Sequence, residues 1–155
     1  MIEKSILEQL NQEGKDNRLD ALKKVMRSAN PVDADSRYIN NHIHTTYSFS
    51  PYSPTAAVFA ARAEGLVTAG IVDHDPIGGA KEFIEAGKIA NIPTTIGMEC
   101  RISMADTPLF DRRTNNPDQI GISYAVIHGV PHNNIDTLQA YFAPLREKRN
   151  IRNRA

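Results

Sequence analysis

The stretch "VTAGIVDHDPIGGAKEFIEAGKIANIPTTIGMECRI", residues 67–102, reads as strand, helix and strand in immediate succession. VTAGIVDHD is a continuous apolar run that ends abruptly in charge. GGAKEFIEAGKIANI spaces its apolar residues by three and four and closes in a turn, and PTTIGMECRI returns to a strand pattern. Two strands joined by a connection of helical length form a parallel β/α unit. In such sheets ligands collect beyond the carboxyl ends of the strands, which here carry Asp73, His74 and Asp75 on one strand and Glu99 on the other.

The same alternation extends in both directions. Upstream, RYINNHIH (37–44) is a short strand ending in histidine, and SPTAAVFAARAEGL (53–66) is a helix with a Ser-Pro start and a glycine at its end. Downstream, a polar loop with Pro108, Asn115, Asn116 and Pro117 leads to the strand GISYAVIHGV (121–130). The helix NNIDTLQAYFAPLREKRNIRNR (133–154) follows, with Pro144 inside it. The first 30 residues carry Ile6, Leu7, Leu10, Leu19, Leu22, Val25 and Met26 at helical spacing, with a break around Gly14 to Asn17 and a stop at Pro31. The expectation is an α/β fold with about four parallel strands: a helical extension over 1–36 and the strand-bearing unit over 37–155.

Eighteen basic and eighteen acidic residues cancel, so no global field draws the chain to nucleic acid or an anionic membrane. The last ten residues, REKRNIRNRA, are locally basic, which an exposed helix end explains. The single cysteine, Cys100, excludes an intramolecular disulfide and a cysteine-based zinc site. No signal peptide and no long apolar window are visible, so a cytoplasmic protein is expected.

Of the five histidines, His42 and His44 end the first strand, His74 the second, and His128 lies near the end of the fourth; His132 follows four residues later. Residues i and i+2 of a strand share a face, so His42 and His44 offer two imidazoles to one ion while Ile43 faces the opposite layer. Imidazole with carboxylate is a ligand mixture that suits zinc, iron or manganese. Glu99, on a neighbouring strand, adds a carboxylate able to bridge two ions, an arrangement that activates water against a phosphate ester. A lone HxH or a lone Asp-His-Asp is as well explained by caps and core contacts. Four strand ends each bearing His or Glu are much harder to ascribe to packing.

NHIHTTYSFSPYSP, GIVDHDPIGGAKEFIEAG and IGMEC, in this order, resemble the first three motifs of the PHP (polymerase and histidinol phosphatase) family. The resemblance covers roughly residues 38 to 132. It implies a TIM-like, distorted (β/α)7 barrel with a two- or three-metal cluster of zinc, manganese or iron, and hydrolysis of phosphate esters. It further implies His42 and His44 on one metal, Glu99 bridging to a second, His74 on a third, and His128 as a further ligand. Asp73 is expected to orient a histidine from behind, and Arg101, two residues past Glu99, to meet a phosphate oxygen.

Two departures stand out. Phe49 and Ser50 occupy positions where the family usually carries an Asp or His ligand, which makes two metals the safer expectation. The later histidine and Asp-x-His ligands of the family are absent, so the chain reads as the N-terminal part of a longer enzyme with an incomplete barrel. An open sheet edge then invites self-association. The expected substrate is a small phosphorylated molecule. A non-catalytic metal-binding or regulatory module, a nuclease acting on nucleic acid, and a plain α/β domain with structural histidines are the alternatives.

Overall fold

The computed structural model describes residues 2–29, 35–75 and 77–154. The elements are α1 (Lys4–Leu10), α2 (Lys15–Ser28), β1 (Asp35–Ile43), α3 (Pro54–Ala63), β2 (Leu66–His74), α4 (Ala80–Ala90), β3 (Thr94–Ser103), β4 (Ile122–His128) and, after a 3-10 turn at His132–Asn134, α5 (Ile135–Arg154). The helix stop expected at Pro31 lies outside the described residues. Among those residues, no helix is long and apolar enough to cross a membrane.

One four-stranded sheet in the order β1-β2-β3-β4 organises the chain. Its first three strands are parallel and linked through α3 and α4. Helix α3 starts where Ser53 accepts a hydrogen bond from the Ala56 N–H at 3.0 Å and Pro54 occupies the first turn, a pre-organised beginning. Helix α4 ends at Asn91, whose left-handed backbone (φ 53°) closes it.

The fourth strand departs from the expectation of four parallel strands. β4 runs antiparallel to β3, with Gly97 opposite His128, Glu99 opposite Val126 and Arg101 opposite Tyr124. The reason lies in the connection. Residues 104–121 contain no helix and fold back through turns, with the Met104 N–H bonded to the Gly121 carbonyl at 2.8 Å. A connection without a crossover helix favours an antiparallel return, whereas a parallel neighbour needs a helix-sized bridge. Gly97 permits the close approach of β4, since a Cβ there would lie 2.5 Å from the Ile127 carbonyl oxygen.

The outer edge of β4 is partly covered by its own loop. The Asn115 side chain accepts from the Tyr124 N–H and donates to the Tyr124 carbonyl, both at 2.9 Å, mimicking one residue of a further strand. On the opposite edge, β1 exposes Tyr38 and Ile39.

Helices α1 and α2 pack on α3 and α4 rather than standing apart, placing Leu10, Leu19 and Leu22 in the same buried cluster as Val58, Phe83, Ile96 and Met98. Polar links fix them. The Ser53 hydroxyl donates to the Leu10 carbonyl at 2.6 Å, and Arg18 grips Glu82 with both arms of its guanidinium, at 2.8 and 2.6 Å. Glu82, almost fully buried, also accepts from the Thr55 hydroxyl and N–H, so one carboxylate joins α2, α3 and α4.

Candidate metal centre

The helix-facing layer of the sheet is apolar, with Ile71, Ile96 and Met98 buried in the core. The opposite face gathers the histidines. β1 does not reach it as a regular strand: Asn40 pairs with Ala69 but Ile43 with Ile71, so three residue steps of β1 span two of β2. A bulge of this kind re-aims side chains, and it takes in Asn41 and His42, just ahead of His44. Gly70 makes room for it, because a Cβ there would meet the Asn41 backbone at 2.7 Å. Ile43 turns toward the core, as its alternation with the histidines predicts.

Glu99 is the focus. Its Oε2 lies 3.1 Å from His42 Nε2, 3.3 Å from His74 Nε2 and 3.9 Å from His44 Nε2. The nearest ligand atoms of His42, His44 and Glu99 all fall within 4.8 Å of one another. In a tetrahedral site with metal–ligand bonds near 2.1 Å, neighbouring donor atoms sit about 3.4 Å apart, so the approaches of His42 and His74 to Glu99 at 3.1 and 3.3 Å have the length of one coordination edge, with His44 slightly farther out at 3.9 Å. The donor set, imidazoles with one carboxylate, therefore fits a divalent metal. Exposure falls across the cluster from His42, with 45% of its side chain open, to Glu99, with 12%. The cluster is thus reached from the His42 side while the carboxylate is held from behind.

His74 sits beside Glu99 because the parallel register pairs these two residues directly. Its ring stacks on His44, with centroids 4.9 Å apart and planes 14° from parallel. His128 borders the cluster without entering it. It lies opposite Gly97, below the strand ends rather than beyond them, a consequence of the reversed β4, and its ring centroid stands 6.4 Å from that of His42. His132 lies apart, lining a surface groove with Ile84, Lys88, Asn91 and Thr94 near the start of β3.

Asp73 is buried on the far side of β2 and makes no direct approach to the cluster. Its carboxylate accepts from the Thr45 N–H, the Thr45 hydroxyl and the Ser48 hydroxyl, each at 2.6 Å. Ser48 Oγ in turn stands 3.4 Å from His44 Nδ1. Asp73 therefore holds the turn after β1 and is linked to His44 only through Ser48. Thr45 and Ser48 join the site through these bonds, and both stand in the stretch NHIHTTYSFSPYSP that carries the family resemblance.

Arg101 shares the Glu99 face but is engaged. Its guanidinium lies 3.5 Å from Asp75 Oδ2, and Asp75, with a left-handed backbone (φ 62°), donates its N–H to the Glu99 carbonyl at 2.7 Å. Cys100 points the other way; burial, with the nearby charges of Asp75 and Glu99, pushes its thiol above the ordinary range.

The PHP domain family profile matches residues 40–148, which contain every residue of the cluster. The chain belongs to the PHP domain family. Solved structures share its fold, two of them as follows. An amidohydrolase from Chromobacterium violaceum, solved with sulfate and no metal, is 25% identical at a TM-score of 0.57, covering 75% of this chain and 36% of its own. A protein from Bifidobacterium adolescentis, named as a candidate metal-dependent phosphoesterase, is 21% identical at a TM-score of 0.51, covering 77% of this chain and 35% of its own. This PHP chain thus spans about a third of the length of either relative. No curated protein matches it.

Proposed function

We propose that this PHP chain contributes the first part of the metal centre of a phosphate ester hydrolase. The observation that carries the reading is the convergence of three imidazole nitrogens on one Glu99 oxygen. Imidazole nitrogens and a largely buried carboxylate oxygen meet at one point, where a divalent ion satisfies these donors together.

His42, His44 and Glu99 would hold the ion, with His74 supporting Glu99 or joining a second position. Zinc, manganese and iron all suit this donor set. When bound, the metal supplies Lewis acidity and activates water for attack at phosphorus. The chain's own residues fix the geometry. Asp73 and Ser48 keep the His44 ring in place, and the exposed flank of His42 leaves an approach for the substrate. Arg101, braced by Asp75, stands two residues beyond Glu99, where its guanidinium offers paired donors to a phosphate oxygen.

The test is a phosphatase assay on simple phosphomonoesters with added Mn or Zn, comparing the wild-type chain with His42→Ala and Glu99→Ala. Phosphate release abolished in both variants supports the reading. Rates unchanged by either substitution contradict it.

A further inference from the structure

Phe49 stands at the rim of the histidine cluster with 75% of its surface open to solvent. Its ring meets His74 edge-on, with centroids 4.8 Å apart and planes at 67°, and His44 in the same manner at 6.5 Å. Tyr124, from β4, meets the His74 ring as well, at 5.4 Å and 80°. Two aromatic rings therefore bracket one imidazole of the cluster.

The position of Phe49 is fixed by the chain on either side of it. The N–H groups of Ser48 and Ser50 both donate to the Thr45 carbonyl, at 2.9 and 3.3 Å, and Ser48 is further tied to Asp73. Phe49 is thus the tip of a turn whose two flanks are anchored to one carbonyl, with its anchor bonded to a buried carboxylate. A large apolar ring held in water next to polar donors contributes little to the core. It contributes apolar surface that a ligand can cover.

We propose that Phe49, with Tyr124, forms an apolar subsite for the leaving group of the ester, so that the centre selects phosphate esters with a planar or apolar alcohol over those with a small hydroxylated one. This rests on the phosphate ester reading above and adds the chemistry of the other half of the substrate. A ring covering Phe49 removes apolar surface from water on both partners and gains edge-to-face or offset stacking geometry, together worth about tenfold in affinity.

The experiment uses non-hydrolysable probes and needs no turnover. The chain loaded with Mn or Zn is titrated calorimetrically with phenylphosphonate and with methylphosphonate, as wild type and as Phe49→Ala and Phe49→Tyr. Because Phe49 is exposed, neither variant threatens the fold. The expected result is phenylphosphonate binding about tenfold tighter than methylphosphonate in the wild type and in Phe49→Tyr, with the preference lost in Phe49→Ala and methylphosphonate affinity unchanged. An equal preference in wild type and Phe49→Ala overturns the subsite and leaves the phosphate ester reading standing. Failure of both probes to bind the metal-loaded chain overturns both.

Discussion

Asp73 and Thr45 are joined twice: the buried carboxylate accepts from the Thr45 backbone N–H and from its hydroxyl, each at 2.6 Å. This pair sits behind the sheet, yet it sets the course of the turn that carries Ser48 and Phe49 to the front. Replacing the carboxylate leaves three donors without their partner. Asp73→Ala is expected to cost about 3 kcal/mol of unfolding free energy and to weaken metal binding, whereas Ser48→Ala, removing one of the three donors to Asp73 together with the hydroxyl behind His44, weakens metal binding at about 1 kcal/mol of stability. Urea unfolding alongside metal titration separates the two. Equal effects of both substitutions on stability would contradict the division of roles.

The Arg18–Glu82 pair is the second structural expectation. Its side chains are 14% and 3% exposed, so Arg18→Ala strands a buried carboxylate and is expected to destabilise by about 3 kcal/mol. The hydrogen bond to Glu82 holds the Arg18 guanidinium above its ordinary value, against the opposing effect of burial. The contribution is therefore complete at neutral pH and lost only as pH climbs through the folded-state value. A urea midpoint unchanged in Arg18→Ala would remove this link between α2 and the sheet-covering helices.

Cys100 gives a pH-dependent signature. Burial first, and then the charges of Asp75 and Glu99, raise its thiol above the ordinary range, so the unfolded chain ionises before the folded one. Its contribution to stability is full below the unfolded value and declines as pH rises through the folded one. Alkylation by iodoacetamide at pH 8 should be at least about tenfold slower in the native chain than in urea. Native and unfolded chains reacting at the same rate would contradict the burial.

The edge of β1 is the surface most prone to pairing, because Tyr38 and Ile39 are exposed on it while Asn115 occupies the Tyr124 backbone groups at the opposite edge. Self-association is expected, and Ile39→Lys should reduce it. Light scattering reports the outcome directly: a mass above 17.2 kDa that falls toward that value in Ile39→Lys agrees, and a uniform monomer in the wild type contradicts it.

Much of this arrangement was legible in residues 37–102. Apolar runs ending in charge marked β1, β2 and β3, and parallel alternation alone brings His42, His44, His74 and Glu99 to neighbouring strand ends. What escaped depended on contacts between segments distant in sequence. The reversal of β4 followed from a connection that lacks a helical period, a signal present in residues 104–121 but outweighed by the preceding alternation. It is this reversal that leaves His128 at the border of the cluster. The bulge between Asn40 and Ile43 required Gly70 on the next strand, and the engagement of Arg101 required Asp75 in a left-handed backbone. Thr45 and Ser48 looked like ordinary turn residues until Asp73 was placed behind them.

The central claim is that the strand-end cluster holds metal. Elemental analysis of the chain, purified without chelator or a histidine tag, measures this directly, with His42→Ala and Glu99→Ala beside it. The account predicts one or two equivalents of zinc, manganese or iron in the wild type, lost in both variants while the fold is kept. A folded wild-type chain that carries no metal and takes up none when zinc or manganese is added would contradict it.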